Sequence, residues 1–88
     1  MAKQNRGNGA VAAIRIAAGY TQMKAAAALD ITQSYLARIE GGYHDPSMSL
    51  VSGMAQLYRA EVADMIRAVE RARRLRARLQ ARLEGSAA

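Results

Sequence analysis

Cysteine, phenylalanine and tryptophan are all missing from this 88-residue chain, and proline and histidine occur once each. Without cysteine there is neither a disulfide nor a thiolate metal site, and one histidine builds no imidazole site by itself. No stretch stays apolar for the roughly 20 residues that a membrane span needs. Met1 to Gly9 also lacks the apolar core of a signal peptide, so a cytoplasmic protein is expected, with no membrane partner. No glycine-rich loop is patterned to cradle phosphate, and no pair of carboxylates stands where a cleft would form. This inventory argues against an enzyme and gives no sign of a cofactor, a metal or a small-molecule ligand. The aromatic complement is four tyrosines, so aliphatic and alanine side chains must carry the burial. One small domain with a thin core is expected, and such a core gains from self-association.

What is present is charge, distributed unevenly. From Arg67 to Arg82 there are seven arginines against the single acid Glu70, which equals the net charge of the entire chain, +6. The same region is the best helix candidate in the sequence. Glu61 to Glu84 contains neither Gly nor Pro, is rich in Ala, Arg and Leu, and would extend roughly 36 Å at 1.5 Å per residue. Gly85 is expected to end it, leaving 85–88 as a disordered tail. At 100° per residue Val62, Met65, Val69, Ala72, Leu75, Leu79 and Leu83 fall on one face. The first half of that stripe is expected to pack on the domain. Val69, Ala72, Leu75, Leu79 and Leu83 are the candidate dimerisation residues, with an antiparallel or crossed pairing placing Glu61 and Asp64 near Arg78 and Arg82 of a second copy. Arg76 falls on this face too and does not suit a simple apolar seam.

The stretch from Thr21 to Gly42 carries the strongest pattern: two short helical segments with a three- or four-residue break. Thr21 and Thr32 are each placed to cap a helix start. Ala25, Ala26 and Leu29 give the first segment an apolar face, and Leu36 and Ile39 do so for the second. Small alanines allow a close crossing. Asp30, which tolerates the left-handed conformation, supplies the turn, and Gly41 and Gly42 stop the second helix. Two helices so joined form a helix-turn-helix, a DNA-reading arrangement. Beyond it Pro46 disfavours helix at Asp45, so the next helix is expected to begin near Ser47.

From about Ile14 to Ile66 the chain resembles the Cro and phage-repressor family of helix-turn-helix regulators, the xenobiotic-response-element type. The resemblance rests on Ile14-Arg15 before Gly19, Gly19-Tyr20-Thr21-Gln22, Ala26, Ile31-Thr32-Gln33-Ser34-Tyr35-Leu36, Arg38-Ile39-Glu40-Gly41-Gly42 and Pro46-Ser47. It implies an all-α, five-helix repressor-like domain over residues 10–66; the residues themselves add an extended C-terminal helix over 61–84 and a polar, glycine-bearing basic arm over 1–9, expected to be flexible. Asp30 stands where the family usually has Gly, Ala25 where it often has Leu, and Lys24 where an acid is common. Gly53 interrupts the fourth helix, at a cost of about 1 kcal/mol relative to Ala unless a neighbouring backbone approaches there.

On a recognition helix opening at Thr32, Gln33, Ser34, Tyr35 and Arg38 are the candidate base contacts. Gln33 can pair a donor and an acceptor with adenine, Arg38 can give two donors to guanine, and Tyr35 can lie against a thymine methyl or reach a phosphate. The resemblance implies that Gln22 braces this helix and touches phosphate. Thr32, Lys24, Tyr43, His44 and Arg6 are further candidates for phosphate contact or positioning. It implies likewise that Arg15 and Glu40 form a structural ion pair. The expected function is a dimeric, sequence-specific regulator of transcription, a repressor or autoregulator on an inverted-repeat operator in duplex DNA, nucleoid-associated when bound. The alternative is an antitoxin-like adaptor whose C-terminal helix binds a protein partner. Residues outside Arg67 to Arg82 sum to zero charge, so arm and tail are expected to add to the field that attracts phosphate.

Overall fold

The computed structural model describes residues 9–87, which form five α-helices and, among the described residues, no strand. They are α1 (Ala10–Ala17), α2 (Gln22–Leu29), α3 (Gln33–Glu40), α4 (Met48–Tyr58) and α5 (Val62–Ala87). The all-helical fold with a long last helix matches the expectation. Three starts are capped as the hydroxyls foretell. Thr21 accepts from the Lys24 N–H at 3.1 Å, Thr32 from Tyr35 at 3.0 Å and Ser47 from Leu50 at 3.1 Å. The break between α2 and α3 is Asp30, Ile31 and Thr32.

All four short helices end in the same way. A residue with positive φ follows, namely Gly19 (89°), Asp30 (60°), Gly42 (83°) and Arg59 (57°). The next N–H then reaches back five residues: Tyr20 to Arg15, Ile31 to Ala26, Tyr43 to Arg38 and Ala60 to Ala55, at 2.9 to 3.2 Å. These bonds satisfy carbonyls that the helix itself leaves without partners. α5 has no such stop. It runs on through Gly85 to Ala87, so the end expected at Gly85 is not used and residues 85–87 are helix rather than tail. A single glycine lowers helix stability without forbidding helix, and among the described residues nothing lies within 4 Å of a Cβ built at Gly85.

The core gathers one stripe from each helix: Val11 of α1, Ala25 and Ala26 of α2, Leu36 and Ile39 of α3, Met54 and Ala55 of α4, and Met65 and Ala68 of α5. α1 and α4 both lie on the first half of α5, while α2 packs on α3 and α4. Val69 and Ala72 belong to this core and are buried within the single chain. That corrects their assignment to a dimer contact, because the body of the domain already covers the stripe as far as Ala72. Beyond it, Leu75, Leu79 and Leu83 remain 43, 42 and 57% exposed. Gly53 does not break α4, and its nearest neighbour across the gap is the Leu29 side chain, with no backbone close by.

Candidate nucleic-acid interface

With Thr32 outside as its cap, α3 presents Gln33, Ser34, Ala37 and Arg38 to solvent and buries Leu36, Ile39 and Glu40. The exposed four are spaced i, i+1, i+4 and i+5, so they form one ridge. Gln33 and Arg38 therefore share a face, as expected. Tyr35 does not share it. It is half-buried, packs against the core, and its ring lies 5.7 Å from that of His44. This places Tyr35 and His44 together beside the ridge rather than on it. Ala37 is the member that sequence reasoning missed, because alanine has no polar group to draw notice. An exposed methyl on such a ridge can nonetheless meet the methyl of thymine.

A chain of polar contacts runs from the core to this ridge. Arg15 and Glu40, both buried, pair through Arg15 Nε and Glu40 Oε2 at 2.7 Å and Arg15 Nη2 and Glu40 Oε1 at 3.3 Å. A third donor of the same guanidinium reaches the Tyr20 carbonyl at 2.9 Å. The Gln22 amide then donates Nε2 to Glu40 Oε1 at 3.0 Å, and Gln33 Nε2 donates to Gln22 Oε1 at 3.4 Å. The ionised carboxylate has no proton to give, so the Gln22 amide nitrogen must face it and its oxygen must face Gln33. Gln33 is thereby left with one N–H and its carbonyl oxygen free. The ion pair expected from Arg15 and Glu40 is present, and Gln22 stands between it and the ridge.

Of the other candidates, Lys24, Thr32, Tyr43 and His44 are all exposed, Lys24 on the first turn of α2 and the last two in the loop after α3. Arg6 lies outside the described residues.

A family model described as a helix-turn-helix domain matches residues 10–68 of the chain. The chain belongs to this family. The match agrees with the resemblance to the Cro and phage-repressor type, and the family is that of DNA-binding regulators, typically without enzymatic activity. No curated protein and no solved structure matches the chain. No helix among the described residues is long and apolar enough to cross a membrane.

In this helix-turn-helix domain α3 holds the place of the recognition helix, and its far end is gripped by α5. Gly42 lies so close to α5 that a Cβ there would stand 2.3 Å from the Ala72 carbonyl oxygen. Arg76 donates Nε to the Gly41 carbonyl at 3.2 Å, and its guanidinium carbon sits 4.1 Å from the centre of the Tyr43 ring. Arg73 pairs with Asp45 at 2.9 Å. The misfit of Arg76 in an apolar seam is thus explained: its charge sits at the C-terminal end of the recognition helix, where the helix dipole favours a cation, and over the face of a tyrosine ring. Arg73, Arg76 and Gly42 position the helix-turn-helix and were not identified as such from sequence. The spacing of Arg73 and Arg76 on one side of α5 was the available signal, but their partners are about 30 residues away in sequence.

Proposed function

We propose that this chain is a sequence-specific regulator of transcription that binds duplex DNA as a dimer, a repressor or autoregulator on an inverted repeat. Gln33 and Arg38 read bases, Ser34 and Ala37 lie against the groove between them, and Gln22 and Thr32 touch phosphate. The observation that carries this reading is the Arg15–Glu40–Gln22–Gln33 chain. It fixes the reading amide from behind and leaves it one donor and one acceptor, the pair that adenine presents at N7 and N6. Arg38 forms no ion pair among the described residues, so its guanidinium is available for guanine. Leu75, Leu79 and Leu83 face a second copy, and the two reading ridges meet half-sites about 10 bp apart.

Selection of bound duplexes from a random pool tests this directly. It should return an inverted repeat. Arg38→Ala should then lose preference at one base pair per half-site, by about 1 to 3 kcal/mol, without loss of fold. Indifference of the purified protein to every duplex would end the proposal.

A further inference from the structure

α5 carries a second charged feature that neither the core nor the clamp on the recognition helix uses. Arg71, Arg74, Arg78 and Arg82 are all exposed and form no salt bridge among the described residues. Their spacings of three and four residues put all four within an arc of about 80° on the helix, over an axial run of about 17 Å. Arg73 and Arg76 point elsewhere, to Asp45, Gly41 and Tyr43. The arginines of α5 are therefore sorted into two groups: inward ones that hold the loop, and an outward ridge. Among the described residues no nearby acid pairs with that ridge: Glu70, beside Arg71, forms no salt bridge, Asp64 is taken by Arg67, and Glu84 lies on another side of the helix, where it accepts from Gln80 at 3.2 Å.

We infer that this ridge is a second DNA-contacting element, lying along the phosphate backbone beside the groove that the recognition helix enters. The inference rests on the DNA-reading proposal and adds to it the source of most of the affinity. Position supports it first. Leu75 and Leu79 line one groove together with Ala37 of the reading ridge and Gln22 at the start of α2, so this part of α5 runs beside the reading surface, with Arg78 and Arg82 on the same turns and on the outer side of the helix. Charge supports it independently. Outside Arg67 to Arg82 the chain has no net charge, and Arg15 is locked to Glu40, which leaves the helix-turn-helix itself few cations for phosphate. Duplex DNA carries one negative charge per about 1.7 Å of axis, and neutralising it supplies most non-specific affinity. Residue type agrees as well, since guanidinium groups bind phosphate oxygens two at a time. The apolar stripe of Leu75, Leu79 and Leu83 adjoins the ridge without overlapping it, so a second copy can cover one while DNA takes the other.

The test is the salt dependence of binding by the full chain, measured on a selected duplex and on a scrambled one of about 30 bp, three turns of B-DNA. The variant replaces all four ridge residues, Arg71→Gln, Arg74→Gln, Arg78→Gln and Arg82→Gln, which preserves helix propensity at exposed sites. A companion variant carries lysine at the same four positions. If all four meet phosphate, the slope of log K against log salt shrinks by about 3.6 per copy on both duplexes, and lysine restores most of it. A reduction equal to at least one phosphate, about 0.9 per copy, with recovery by lysine, sustains the inference. A smaller change overturns it and leaves the ridge to an acidic protein surface. So does a change seen on single-stranded RNA alone. Arg38→Ala, run in parallel, separates the two failures: if it relaxes sequence preference while the ridge variant keeps its slope, the ridge assignment alone falls; if neither matters, DNA reading falls with it. Circular dichroism and thermal unfolding of each variant confirm that the fold is intact.

Discussion

The Tyr58 hydroxyl is buried with no hydrogen-bond partner among the described residues, and its ring lies 5.9 Å from that of Tyr20. Burial first, and the Glu40 charge second, push its pKa from the ordinary 10 up to about 12. Between those values the folded chain keeps a proton that the unfolded chain has lost, so stability falls as pH rises through the window. The full contribution is present below pH 10 and is gone above about 12. Tyr58→Phe removes both the orphaned group and the titration. It should leave stability at neutral pH unchanged or raise it by up to about 1 kcal/mol, and it should flatten the alkaline decline measured by urea unfolding from pH 9 to 12. Glu40 is the opposite case, because its removal strands the buried Arg15 guanidinium. Glu40→Ala should cost about 3 to 5 kcal/mol. Loss of DNA binding in that variant would then follow its thermal unfolding curve, whereas Gln22→Ala should weaken binding with the unfolding curve little changed.

Helix ends carry the next set of consequences. Arg59 adopts the left-handed conformation at the end of α4, where a side chain costs about 1 to 2 kcal/mol that glycine avoids. After glycine's greater chain entropy is subtracted, Arg59→Gly should stabilise by about 1 kcal/mol. Gly53→Ala should add about the same, since the space above it holds only the Leu29 side chain at 3.7 Å. Both appear as a raised urea midpoint with an unchanged slope. Gly42→Ala should do the reverse, because positive φ and the Ala72 carbonyl both exclude a Cβ. These sites also show what a sequence discloses about its elements. Hydroxyls at Thr21, Thr32 and Ser47 announce helix starts because capping is local, and the double glycine after Glu40 announces an end for the same reason. Arg59 gives no such sign, since nothing in arginine favours the positive φ it adopts. The shared exposure of Gln33, Ser34 and Arg38 on α3 was legible from helical spacing after a cap. The half-burial of Tyr35, the burial of Val69 and Ala72, and the clamp by Arg73 and Arg76 were not. Each depends on contacts between elements far apart in the chain.

For the whole molecule the decisive feature is that α5 outruns its own domain. At 26 residues it extends roughly 39 Å, close to the 43 Å longest dimension of the protein. Its buried stripe stops at Ala72, while Leu75, Leu79 and Leu83 continue it at four-residue spacing without cover. Shortening the chain at Arg73 is a poor test of pairing, because it also removes Arg76 and its hold on the recognition helix. Leu79→Glu with Leu83→Glu keeps that hold and charges the stripe. Sedimentation should show the parent as a dimer and this variant as a monomer of equal helicity. The coupling to DNA is geometric. Two recognition helices tied through α5 can enter successive major grooves only when the half-sites lie about one turn apart. Inserting about 5 bp, half a turn, between the half-sites of the selected repeat should therefore abolish joint occupancy by the parent. The charged variant should bind the repeat and its stretched form alike, and weakly. Equal sensitivity to the insertion in both proteins would show that some surface other than Leu79 and Leu83 joins the two copies.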